Sequence, residues 1–126
     1  MMRKWIALVS AVLLSLTVAI TSTGTASATT YYGTIFCTGG TNGGNVVGVW
    51  IEQPGGSSGW ANFTNTGGGN ATWNYNFSND NNYQINVGCG GTAQNWHSNN
   101  KGPWVKPSWA SHDYICDVAR KVCALS

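Results

Sequence analysis

The sequence predicts a small all-β protein, an antiparallel β-sandwich tied by disulfides, and three observations carry the prediction. Short runs alternate apolar and polar residues, the period-two pattern of strands with one buried face. Clusters of Gly, Asn, Ser and Pro interrupt those runs at nearly regular intervals, as turns between antiparallel strands do. Four cysteines, Cys37, Cys89, Cys116 and Cys123, form an even set suited to two disulfides in a small exported domain.

The chain opens with a different kind of segment. Met1-Met2-Arg3-Lys4 is positively charged, Trp5 to Ile20 is apolar apart from Ser10, Ser15 and Thr17, and Ala26-Ser27-Ala28 has the form of a cleavage site. These features predict a secretory signal peptide over residues 1–28 and one secreted, extracellular domain over residues 29–126. The apolar run is shorter than the roughly 20 residues of a membrane span, so no membrane insertion is expected after cleavage. Arg3 and Lys4 leave with the leader; Lys101, Lys106, Arg120 and Lys121 then balance Glu52, Asp80, Asp113 and Asp117. A domain without net charge offers no electrostatic footprint for nucleic acid. Its Asn, Ser, Thr and Gly supply uncharged hydrogen-bonding surface instead.

Each strand is expected for a stated reason. Tyr31–Cys37 is aromatic and β-branched, and Thr38–Asn45 is a glycine-rich turn. Val46–Gln53 places Val47, Val49 and Ile51 on one face and Val46, Gly48, Trp50 and Glu52 on the other. Pro54–Gly59 breaks the chain before Trp60–Thr64. Ala71, Trp73, Tyr75 and Phe77 alternate strictly with Thr72, Asn74, Asn76 and Ser78, which makes Trp73 a core residue. Tyr83, Ile85, Val87 and Cys89 then alternate with Gln84, Asn86 and Gly88, after which Gly90-Gly91 release the chain into an aromatic loop. Beyond it, His112–Cys116 and Val118–Cys123 read as one or two last strands. A short helical turn over Asp117–Leu125 is the alternative, since Val118, Val122 and Leu125 also fit helical spacing.

Four cysteines allow three pairings, and spacing does not choose among them. Cys37–Cys89 with Cys116–Cys123 is preferred, because each bridge would join neighbouring strand ends or close a short turn. No spacing supports a zinc site, and no motif calls for a cofactor. Gly48–Ile51 (G-V-W-I), Gly55–Ala61 (G-G-S-S-G-W-A) and Tyr83–Trp96 (Y-Q-I-N-V-G-C-G-G-T-A-Q-N-W) together resemble a group of small secreted bacterial β-modules with an Ig-like or transthyretin-like layout. That resemblance implies secretion and an all-β fold, and it brings no catalytic residue with it.

The function expected from these residues is non-catalytic binding of extracellular or cell-wall carbohydrate. Flat indoles suit the apolar face of a pyranose ring, and amides and hydroxyls suit its oxygen atoms. Trp96, Trp104 and Trp109 are the expected stacking surface, with Asn95, His97 and Asn99 as hydrogen-bonding neighbours; Trp50 and Trp60 are a second platform. Two other classes compete. A small secreted hydrolase would use His112 and Asp113, whose H-D-x-x-C run is similar to the His-Asp core of secreted phospholipases A2, or a nuclease-like set of Glu52, His97, His112 and Arg120. A structural or assembly surface protein would exploit low-charge strands that pair edge to edge. No G-x-S-x-G, H-E-x-x-H or phosphate-binding glycine loop is present, so no residue is assigned a catalytic role.

Overall fold

The computed structural model describes residues 28–39, 44–109 and 111–126. Apart from Ala28, the signal peptide expected over residues 1–28 lies outside them. The described residues form nine strands and no helix: β1 (Thr29–Thr38), β2 (Val46–Glu52), β3 (Gly59–Trp60), β4 (Asn62–Gly67), β5 (Asn70–Phe77), β6 (Tyr83–Thr92), β7 (Asn95–Val105), β8 (Tyr114–Asp117) and β9 (Val122–Leu125). The helical alternative over Asp117–Leu125 gives way to a β8–β9 hairpin turned at Val118–Lys121.

The protein is all-β, but its strands join in one continuous sheet, β3-β2-β6-β7-β9-β8-β1-β5-β4, where the sequence suggested two facing sheets. The β8–β9 hairpin is the reason. It sits between β1 and β7, with β8 parallel to β1 (Ile35 opposite Tyr114) and β9 parallel to β7 (Lys101 opposite Val122). The two halves that would otherwise face one another are thereby hydrogen-bonded into a single curved sheet. Its ends nearly meet. The Ala61 amide donates to the Val49 carbonyl at 2.9 Å. The Asn65 side chain receives the Val46 N–H at 3.1 Å and donates to the Val46 carbonyl at 2.9 Å. One side-chain amide thus takes the place of a ladder pair at the seam and leaves a barrel-like body.

Its interior holds Trp73, Tyr83, Phe77, Tyr114, Ile35, Val49, Ile51, Ile85 and Val87, all essentially inaccessible to water. Both disulfides lie in this core: Cys37–Cys89 links residues 52 apart, and Cys116–Cys123 bridges directly opposed positions of the last hairpin. Val46 also points inward, against the parity expected for its strand. The ladder slips between Val46 and Gly48, so Val46 pairs with Cys89 and joins the core.

The stretch after Cys89, expected to be a loop, is the eleven-residue strand β7. Its inward positions are Ser98, Asn100, Gly102 and, at its end, Val105, so no apolar alternation marks it. Buried Asn100 substitutes for a hydrophobe by donating to the Val87 carbonyl and to Ser98 Oγ, both at 3.0 Å.

Candidate functional site

The outer face of β3-β2-β6-β7 is where the aromatic residues gather. Residues opposite one another in a ladder point to the same side, so the registers lay out this face in rows. Trp60 lies opposite Trp50, Trp50 opposite Asn86, and Asn86 opposite Lys101. One row along stand Glu52, Gln84 and Trp104. One row the other way stand Gly48, Gly88 and Asn99.

Local chemistry places each ring. The turn between β2 and β3 uses Gly55 and Gly56 at positive φ and is fixed by three side chains. Ser58 Oγ accepts from the Gln53 amide at 2.9 Å, Tyr75 donates its hydroxyl to the Ser57 carbonyl at 2.9 Å, and Asn79 donates to Ser57 Oγ at 3.0 Å. Trp60 is thereby delivered beside Trp50, ring centres 4.9 Å apart at 74°. Trp96 packs on the other side of Trp60 at 6.0 Å and 73°. Its indole rests on backbone rather than on side chains: a Cβ at Gly48 would sit 2.4 Å from the ring, and one at Gly88 2.2 Å from it. The Trp96 Nε1–H is held by the Ala93 carbonyl at 3.1 Å.

Trp60 is therefore steeply inclined to both neighbours, and the three rings do not form a coplanar strip. Trp60 is 63% exposed. Beside it runs a groove of about 250 Å³ lined by Val47, Gly48, Trp60, Ala61, Phe63 and Ala93. Amides extend the face toward Trp104, which is 46% exposed. Among them, Lys101 Nζ donates to Asn86 Oδ1 at 2.6 Å and Gln84 Nε2 to the Gly102 carbonyl at 3.0 Å.

Of the residues singled out in the sequence, Trp50, Trp60 and Trp96 converge here, and Trp104 and Asn99 share the same face. Asn95 and His97 lie exposed at the end of the β6–β7 hairpin. Trp109 belongs elsewhere: it sits in the turn after β7, where its amide donates to the Lys106 carbonyl. Asp80 anchors that turn through the Ser108 amide and hydroxyl. The groove residues Val47, Ala61, Phe63 and Ala93, not singled out in the sequence, come from β2, the β3–β4 stretch and the β6–β7 turn, and only the near-closure of the sheet brings them beside Trp60.

The hydrolytic candidates do not assemble. His112 and Asp113 are neighbours in an extended segment and point apart. His112 is buried, its Nδ1 3.1 Å from the Tyr83 hydroxyl, which lies 2.8 Å from the Tyr114 hydroxyl. Burial lowers the His112 pKa, opposed by a Pro107 backbone hydrogen bond and the Asp113 charge. Burial also raises the Tyr83 phenol and pushes the Tyr114 phenol up to about 12. All three are thus neutral near pH 7 and serve as a hydrogen-bonded core network. Asp113 turns outward and accepts from the Thr34 amide and hydroxyl, both at 3.0 Å. Glu52 lies opposite Gln84 while His97 lies across from Gly90, roughly 20 Å along β6 at about 3.3 Å per residue. Arg120 is in the β8–β9 turn. Among the described residues, no three of His, Cys, Asp and Glu converge as metal ligands.

Fold and face together define a disulfide-bonded, barrel-like β-domain with an aromatic outer surface. No known family, curated protein or solved structure matches the chain.

Proposed function

We propose that the protein is a secreted, non-catalytic binding module whose tryptophan face takes extracellular or cell-wall carbohydrate. The observation that carries the reading is the convergence of Trp50, Trp60, Trp96 and Trp104 with Gln84, Asn86 and Asn99 on one outer face. An exposed indole offers a flat surface to the apolar side of a sugar ring, and the Gln84 and Asn99 amides can meet its hydroxyls, while Asn86 is covered and bonded to Lys101. The two disulfides are consistent with an extracellular location. Secretion also agrees with the charged, apolar and A-x-A-terminated start of the chain and with the resemblance to small exported bacterial β-modules.

The test is retention on insoluble cellulose, chitin, xylan and peptidoglycan, comparing the wild type with Trp60→Ala and Trp104→Ala. Loss of one stacking ring is expected to weaken retention about tenfold; Trp104→Ala should leave the unfolding midpoint little changed, while Trp60→Ala lowers it by the loss of the Trp50 and Trp96 contacts. Undiminished retention of the double variant refutes the reading.

One observation favours a second reading, self-assembly. Phe36, Ile115 and Ala124 form an exposed row across β1, β8 and β9, with Val122 beside it. Sedimentation that stays monomeric at high concentration dismisses it.

A further inference from the structure

The groove beside Trp60 has a property that sugar stacking alone does not require: its lining is mainly apolar. Val47, Gly48, Ala61, Phe63 and Ala93 complete it with Trp60, and none carries a charge or a side-chain hydrogen-bonding group. Its backbone is also occupied where the seam passes. The Val49 carbonyl is taken by the Ala61 amide, and both Val46 backbone groups are taken by Asn65. The groove offers no free ladder group to an added peptide strand at those positions. What it offers is space for a small apolar substituent on a ligand whose remainder is polar enough to lie along the amide rows.

A plain hexose polymer has only hydroxyl groups around its ring, and burying a hydroxyl there without a partner is unfavourable. An acetamido group has the required dual character: a methyl to enter the groove and an amide to remain at its polar rim. The ligand is also uncharged. The groove holds no cation to pair with a carboxylate, and Lys101, on the same outer face, already donates to Asn86 at 2.6 Å.

We propose that this groove selects N-acetylated sugars, so that the domain prefers neutral polymers of N-acetylhexosamine over unsubstituted hexose polymers. The proposal rests on the carbohydrate reading above and adds the substituent that the site distinguishes.

The experiment is a calorimetric titration of the disulfide-bonded domain with chitohexaose and with cellohexaose, repeated with Ala93→Leu. Ala93 is exposed in the β6–β7 turn, so a larger side chain there fills the groove from its rim; Ala93→Met serves if Ala93→Leu lowers the unfolding midpoint. Chitohexaose is expected to bind at least tenfold more tightly than cellohexaose. Ala93→Leu is expected to remove most of that preference by weakening chitohexaose far more than cellohexaose. Equal affinity of the wild type for the two sugars overturns the N-acetyl selectivity and leaves the carbohydrate reading standing. An equal loss of both sugars, or of neither, on Ala93→Leu overturns the role of the groove. Absence of binding to either hexaose overturns this proposal, and only if no insoluble polysaccharide retains the protein does the carbohydrate reading fall with it.

Discussion

Gly88→Ala isolates the contact on which the aromatic face is built. Gly88 carries no positive φ, so alanine introduces no backbone strain, and its Cβ would come within 2.2 Å of the Trp96 ring. Something must shift, and the ring is the movable partner. Overpacking of this kind costs about 1–3 kcal/mol, and losing the Trp60–Trp96 contact removes about 0.5–1.5 kcal/mol more. The expected destabilisation is therefore about 1.5–4.5 kcal/mol, a fall in Tm of roughly 6 °C or more for a domain of this size. Urea unfolding followed by circular dichroism measures it directly. The decisive comparison places Gly88→Ala in a Trp96→Ala background, where the clash is gone and its effect should shrink to about 0.5 kcal/mol or less. An equal effect in both backgrounds refutes the assignment of Gly88 as the seat of the indole.

Asn65→Ala should cost about 2–4 kcal/mol, because both Val46 backbone groups lose their partner at the seam; hydrogen exchange at the Val46 amide should accelerate with it. Replacing Cys37 and Cys89 by alanine should cost about 4 kcal/mol, and replacing Cys116 and Cys123 about 2.5 kcal/mol, in the chain-entropy account, since the first bridge spans 52 residues and the second 7; thermal unfolding of the two double variants gives the order. Burial holds the His112 pKa below its unfolded value, so below about pH 6.5 the unfolded state binds the extra proton. Stability contributed by neutral His112 is therefore full above that pH and falls as pH drops toward the folded pKa. The urea midpoint should decline on acidification, and His112→Gln should flatten that decline.

Much of this fold is legible in the sequence because burial on one side of a strand writes itself as alternation. Ala71–Phe77 and Tyr83–Cys89 point inward as their patterns require, and Trp73 is core. The preferred cysteine pairing is the one observed. Strand β7 is not legible, since its buried positions are Ser98, Asn100, Gly102 and only at its end the apolar Val105, while Trp104 faces out. Single-sheet closure is hidden for a similar reason: it depends on parallel pairings of β1 with β8 and β7 with β9, which no local pattern encodes. The site is legible in part. The outward parity of Trp50 can be read from its strand, but its meeting with Trp60 and Trp96 depends on register and on two glycines whose importance lies in the side chains they lack.

The position of the β8–β9 hairpin between β1 and β7 also sets an order of events. Ile35 waits for Tyr114, a partner 79 residues further along the chain, so the first strand stays half-paired until nearly all the rest has emerged. Pairing over such separations is slow, on the millisecond-to-second scale of non-local β topologies. Until the hairpin arrives, β1 and β7 each present an open strand edge, the kind that recruits other chains. The last elements of this protein to appear are the ones that end its vulnerable period.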